Sequence, residues 1–298
     1  MNFQDHYEIA DGFSWGSIAK NKAGEFVTTG KWAGGTAYAA CPYAQLGIAD
    51  GALPRVAMLG FNGLQYIDCL SICMPTVCHD EKHPCDLTSS LETLENIMKI
   101  SHRVMGGFSS EGGYDFTLSK LDFCLYDSFK PYGRPAEPCY AQLTDMQVPL
   151  WELIYHGILL YNPSSHTVNS SVKHPDAALT LALYGGRPVF YFYSKFCIPT
   201  ANGFLDGIGK NWMGDEDLVC DTDEQLRESV GAIKRAVDEY SALVDRQTVF
   251  MREYRVEDNG LRTVRYEDGV EIVGNYTDFE LDYKCETVAP HSYKIIRE

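Results

Sequence analysis

Positive charge is scarce in this chain: 25 Lys and Arg face 41 Asp and Glu, a formal net charge of −16 over 298 residues. That balance argues against a nucleic-acid backbone or an anionic membrane surface as partner, because both need clustered cations. Long apolar runs are missing too. No stretch reaches the roughly 20 residues that a membrane-spanning helix requires. The first residues, Met1-Asn2-Phe3-Gln4-Asp5-His6, carry neither the basic nor the apolar region of a secretory leader. The chain therefore reads as cytoplasmic, or as extracellular with its leader and more removed from the front. Neither a phosphate-binding GxxxxGKS/T nor a GxGxxG after a strand occurs, which removes the commonest nucleotide sites.

No CxxC pair occurs among the 10 Cys, at positions 41, 69, 73, 78, 85, 124, 139, 197, 220 and 285. Several lie inside apolar runs and read as reduced, buried thiols. The densest stretch holds Cys69, Cys73, Cys78, His79, His83 and Cys85. It lacks the ligand spacing of a zinc site, and Pro84 opposes the helix on which His79 and His83 would share a face. No metal ligand and no cofactor is assigned from sequence. A cysteine nucleophile at Cys78 or Cys139 has no supporting signature around it.

What is present is a large apolar inventory. Hydrophobic residues make up 45% of the chain, with 19 Tyr and 14 Phe, so a sizeable core forms. Neutral ligands such as sugars remain compatible with the charge. The clearest boundary falls near residue 247, giving 1–246 as a catalytic region and 247–298 as a β-sandwich-like module. In the latter, Asp258-Asn259-Gly260 and Glu267-Asp268-Gly269 are hairpin signals between alternating runs. Upstream, Ser89-Ser90-Leu91-Glu92 and Thr222-Asp223-Glu224-Gln225 are capping boxes opening two helices. The second continues as a stripe of Leu226, Val230, Ile233, Val237 and Val244, read as core. Further helices are expected over 149–156 and 175–184, and strands over 63–68, 105–110, 120–126, 140–145 and 188–194. Alternation of strand and helix predicts an α/β fold, a (β/α)8 barrel by its size. A βαβ unit needs about 30 residues, so the barrel lacks its first strands. An upstream domain or a second protomer would complete it.

Two acidic residues end short apolar runs. Asp68 closes Gly63-Leu64-Gln65-Tyr66-Ile67, and Glu111 follows Val104 to Ser110 and precedes Gly112-Gly113. A carboxylate at the C-terminal end of a barrel strand faces the bowl where such barrels do chemistry. Two on successive strands suit cleavage of a glycosidic bond, one meeting the oxocarbenium ion and one protonating the leaving oxygen.

These segments also carry a family resemblance. Tyr66-Ile67-Asp68, His83-Pro84, Ser110-Glu111-Gly112-Gly113-Tyr114-Asp115 and Leu121-Asp122-Phe123 resemble the catalytic half of bacterial glycoside hydrolases related to endo-α-N-acetylgalactosaminidases and α-N-acetylgalactosaminidases. Val148 to Gly157 resembles the segment after the acid/base region, and Tyr266 to Tyr276 the β-module of that group. The resemblance spans roughly residues 60 to 298. It implies Asp68 as nucleophile and Glu111 as general acid/base of a retaining enzyme, with a carbohydrate substrate carrying an α-linked hexose or N-acetylhexosamine. Around the pair, Tyr66, Tyr114 and Trp151 are candidates to stack on sugar rings. Asp122 and His156 are candidates to bind hydroxyls. The competing expectation is a silent carbohydrate-binding barrel, or a fragment of a longer glycosidase.

Overall fold

The computed structural model describes residues 5–8, 13–32, 35–127, 148–163, 176–190, 192–193 and 218–297. They group into two compact units, Met1–Leu125 with Cys197–Trp212 and Tyr126–Phe196 with Met213–Glu298. The expected strand at 140–145 lies outside the described residues.

The first unit opens with an antiparallel sheet, β1 (Asp5–Tyr7), β2 (Thr28–Trp32) and β3 (Gly35–Ala39), in the order β1-β3-β2. Helix α1 (Pro42–Met58) follows, with Cys41 as its extended N-cap residue and Pro42 in the first turn. A proline there lacks only an N–H that would have no helical partner anyway. Sequence gives little warning of this helix. Its apolar residues do not gather on one face, and Pro54 lies inside it.

Three short strands then pair in parallel: β4 (Gln65–Tyr66), β5 (Phe108–Ser110) and β6 (Phe123–Cys124), with Tyr66 opposite Ser109 and Ser110 opposite Cys124. Between β4 and β5 runs α2 (Leu87–Met105), which packs against α1. Its Leu94, Ile97, Met98, Ser101 and Met105 are buried at helical spacing. The helix starts two residues before the expected box. Asp86 is its cap, accepting from Ser89 N–H at 2.8 Å, while Ser90 is turned inward. An aspartate there also favours the helix dipole, which a neutral serine does less well. Gly106, at φ 103°, ends α2 in the left-handed region that glycine adopts without strain.

The second unit holds α3 (Leu150–Tyr155), β7 (Leu160–Tyr161), α4 (Ala177–Leu183), the parallel pair β8 (Phe192–Tyr193) and β9 (Leu218–Val219), and α5 (Asp223–Tyr240). Thr222 and Gln225 form the expected capping box of α5. A 3-10 stretch, Ser241–Thr248, leads to β10 (Met251–Val256), β11 (Arg262–Tyr266), β12 (Glu271–Asn275), β13 (Leu281–Tyr283), β14 (Glu286–Val288) and β15 (Ser292–Ile296). Strands β10-β11-β12-β15 make one antiparallel sheet and β13-β14 a second. Leu179 and Leu183 of α4 press on β12 at Gly274, where any β-carbon would come within 2.5 Å of them. The fold is thus α/β, with parallel and antiparallel sheets and helices. Among the described residues no sheet closes on itself.

One expectation fails here. Leu226, Val230, Val237 and Val244 are 41%, 51%, 50% and 57% exposed, and the buried face of α5 is Ser229, Ala232 and Ala236. Small side chains let the helix backbone approach closely, and the bulkier stripe is left on the neighbouring face.

His156 lies at the heart of this unit, 1% exposed. Its Nε2 donates to the Arg246 carbonyl at 2.8 Å, and Nδ1 lies 2.9 Å from the Tyr161 hydroxyl. Burial holds its pKa down at about 4 against an ordinary 6.5. His291 sits instead between Asp176 and Asp278, which push its pKa up. Between pH 6.5 and about 4 the unfolded chain binds a proton at His156 that the native chain refuses, so stability falls as pH falls. Over that window the loss reaches about 3 kcal/mol from this residue. Denaturant titrations at pH 7 and pH 4.5 should show it, and replacing His156 should flatten that dependence. In NMR, His156 should stay neutral well below pH 6 while His291 titrates above its ordinary range.

Candidate active site

Parallel register decides the site. Because β4 and β5 run side by side in the same direction, their C-terminal ends emerge together, carrying Asp68 two residues past Tyr66 and Glu111 directly after Ser110. One carboxylate oxygen of each, and the Cys69 sulfur, lie within 4.8 Å of one another. Tyr66 Oη donates to Asp68 Oδ1 at 3.3 Å, and Cys69 Sγ to Glu111 Oε1 at 3.3 Å.

The loops beyond the strands are stitched to each other. Ile67 N–H donates to Ser109 O at 2.8 Å, which carries the ladder one residue further. The chain then turns through Cys69, held at φ 62°, a left-handed conformation rare outside glycine. Ser71 ties this turn to the Glu111 loop. Its hydroxyl lies 2.7 Å from both the Glu111 and Gly112 carbonyls, and its N–H donates to Ser110 Oγ at 3.2 Å. Tyr114 N–H returns a bond to Ser71 O at 3.0 Å.

Three further groups crowd the pair, and sequence gave no reason to place them there. The hydrogen bond to Cys73, burial, and the charges of Asp68 and Glu111 push the Cys69 thiol up, so it stays protonated and donates. Tyr7 of β1 is the third: burial, followed by the charges of Asp5 and Asp68, raises its pKa to about 12. The N-terminal strand therefore lies within electrostatic reach of Asp68, a long-range proximity that no local motif encodes.

The other expected residues are scattered. Tyr66 joins the pair. Tyr114 adjoins it through its backbone, its ring 42% exposed beside Phe116 at 6.1 Å. Asp122 is at the opposite ends of the strands, accepting from Phe108 N–H at 2.8 Å and standing 3.4 Å from His102 Nε2. It precedes β6, whereas Glu111 follows β5, so it organises strand starts. Trp151 and His156 belong to the second unit. Trp151 packs edge-on against Tyr161 at 4.8 Å, and His156 spends both ring nitrogens inside the core.

No protein-family model matches the sequence, and no curated protein matches it significantly. Solved structures do match in fold. The α-N-acetylgalactosaminidase NagBb from Bifidobacterium bifidum, as a quadruple mutant, aligns with 99% of this chain at TM-score 0.67 and 16% identity. Its ligand-free form aligns with 100% at TM-score 0.66 and 16% identity, and its GalNAc complex with 99% at the same two values. The fold is shared with NagBb. The chain spans 41% of the length of NagBb in each comparison. NagBb is an α-N-acetylgalactosaminidase, the second group that the sequence motifs resemble.

Gly112 offers a direct check on the stitching. It sits at φ +72°, and a β-carbon there would lie 2.5 Å from Ile72 Cβ. Gly112→Ala should cost about 1–2 kcal/mol from the left-handed backbone alone, with the collision added. Adding Ile72→Ala should relieve only the contacts with Cγ1 and Cδ1, at 2.6 and 2.9 Å, because alanine keeps the β-carbon that lies 2.5 Å away. Equal stability of Gly112→Ala and wild type in denaturant would show that the turn is not held as described.

Proposed function

We propose that the chain is the catalytic part of a retaining O-glycoside hydrolase acting on α-linked N-acetylgalactosamine or a closely similar sugar. The observation that carries this is the Asp68–Glu111 pair, two carboxylates within 4.8 Å at the C-terminal ends of adjacent parallel strands. Retaining enzymes hold their two carboxyls about 5–5.5 Å apart, whereas inverting ones leave room for a water at about 6.5–9.5 Å. The fold shared with NagBb supports the sugar class. An open (β/α) barrel, completed by strands outside this chain, is the architecture that fits both.

In this reading Asp68 attacks the anomeric carbon as the glycosidic C–O bond breaks, and Glu111 gives its proton to the departing oxygen. A covalent glycosyl–Asp68 ester results. Glu111, now ionised, takes a proton from water, which attacks the same carbon and frees Asp68. Tyr66 Oη, bonded to Asp68 Oδ1, orients the nucleophile so that its other oxygen faces the sugar. Ser71 fixes the Glu111 backbone without touching its carboxylate.

Two variants separate the roles. Asp68→Asn should stop formation of the glycosyl-enzyme, since the amide is a poor nucleophile and carries no charge. Glu111→Ala should lose about 10²–10⁴-fold on natural glycosides and far less on dinitrophenyl glycosides, whose leaving group needs no proton. Azide should partly restore Glu111→Ala by attacking the intermediate without base help. Loss of equal size for both variants on both substrate types would overturn the division of labour. Sugar binding without turnover by the wild-type chain would favour a silent binding barrel.

A further inference from the structure

The stretch around His83 lacks CxxC spacing, yet the fold brings it a thiol from elsewhere. Cys41 lies between β3 and α1, while Cys78 and His83 belong to the connection from β4 to α2. One donor atom of each lies within 4.8 Å of the other two. Cys78 Sγ is 3.4 Å from His83 Nδ1. With bonds of about 2.3 Å to sulfur and about 2.0 Å to nitrogen, tetrahedral donors stand about 3.5–3.8 Å apart. The three atoms therefore need only small movements to close on one ion.

The surroundings favour a metal over a plain thiol pocket. Both thiols are buried, Cys41 at 1% exposure and Cys78 at 2%. Burial pushes the Cys41 thiol up to about 12 in the metal-free chain, and the N–H groups of Tyr43 and Ala44, in the first turn of α1, are directed at its sulfur and offset part of that rise. His83 turns Nδ1 to the thiol and Nε2 toward Asp80 Oδ1 at 3.9 Å. A carboxylate on the far side of a ligating histidine is the arrangement that backs such ligands, and here Asp80 stands just beyond hydrogen-bond distance. Asp80 is itself held by Lys20 Nζ at 2.6 Å and the Lys82 N–H at 2.9 Å. Cys85 is joined to Cys78 by two reciprocal backbone N–H···O bonds of 2.9 Å, while its thiol donates to Asp86 O at 3.6 Å and would have to turn to reach the ion.

We propose that Cys41, Cys78 and His83 bind a zinc ion, with Cys85 or a water as the fourth donor. Two thiolates and an imidazole form a soft, neutralising set that selects zinc over oxygen-preferring cations such as calcium or magnesium. Binding expels the two thiol protons and leaves Zn²⁺ balanced by two sulfur anions. The ion is structural: it joins the β3–α1 junction to the β4–α2 connection and is a group separate from Asp68, Cys69 and Glu111.

The test uses the full chain and needs no enzyme activity. Purified without chelator, it should carry about one zinc per chain by elemental analysis. The metal-free chain, prepared under reducing conditions, should take up Co²⁺ with a thiolate-to-cobalt charge-transfer band and intense tetrahedral visible bands. Zinc should abolish both spectra. Cys41→Ser with Cys78→Ser should remove zinc and the spectrum, whereas Cys285→Ser, at an exposed thiol, should keep both. Removing Cys85 alone reports the fourth donor: loss of the tetrahedral cobalt bands names the thiol, and their retention names water. A cobalt complex without thiolate bands overturns the proposal, as does zinc retained by the double variant. So does a denatured thiol count two short of the 10 cysteines, which would mean a disulfide in place of ligands. The cobalt spectrum of the wild-type chain decides the matter even where the double variant does not fold.

Discussion

Two ionised carboxylates within 4.8 Å of each other repel, by about 3 kcal/mol at an effective dielectric constant near 20. The parallel pairing of β4 with β5 keeps them there. Antiparallel neighbours would deliver one strand end to each side of the sheet and part the two acids. Parallel pairing delivers both ends to one side, and the connection through α2 is the crossover that such pairing requires. Everything specific to the site follows from that constraint: which residues lie after the strands, which loops meet, and which donors reach the carboxylates.

Those donors are modest ones. Tyr66 Oη on Asp68 and Cys69 Sγ on Glu111 are neutral groups, not the Lys or Arg that would neutralise a carboxylate outright. A cation beside either acid would quench it as nucleophile or as proton donor. A neutral hydrogen bond orients it and leaves it reactive. Rigidity is supplied by backbone instead. Ser71, the ladder bond from Ile67 and the close approach of Gly112 to Ile72 fix the two loops against each other without spending a charge. The chain's large acidic excess is compatible with this, because a sugar presents hydroxyls and no formal charge.

Legibility from sequence follows the range of the interaction. Local signals are well obeyed: the Thr222–Gln225 box, the helix bounded by Pro149 and His156, and the two strand ends with their acids. Where a nearby residue competes, the boundary shifts, as Asp86 takes the cap that Ser89 was expected to supply. Face assignments fail more readily. On α5 the alanines and not the valines turn inward, because closeness of approach outweighs side-chain size. Asp122 illustrates a further limit. Its position beside a strand is legible, but which end of the strand it occupies depends on where β6 begins, and that start is fixed by pairing with β5. Tyr7 and Cys41 are illegible altogether, since only tertiary folding brings them to residues far along the chain.

The connection from β4 to α2 shows how such distant contacts serve the site. It runs from Ile67 to Asp86 with turns and isolated bridges for secondary structure, and a free segment of that length would cost far more entropy than its few turns return. It is held at two places. Near its start Ser71 binds the Glu111 loop. Toward its end His79 N–H bonds to Lys20 O at 2.8 Å, Asp80 pairs with Lys20, and Cys78 packs with Cys41, Ala19 and Ala39. Only the first anchor touches catalytic chemistry. The second fixes the trailing half of the loop to the segment before β2, the end of β3 and the start of α1. A carboxylate on a loop can be as well positioned as one on a strand, provided the loop is tied at both ends, and here the ties come from residues about 40 positions or more away, Glu111 after it and Lys20 before it.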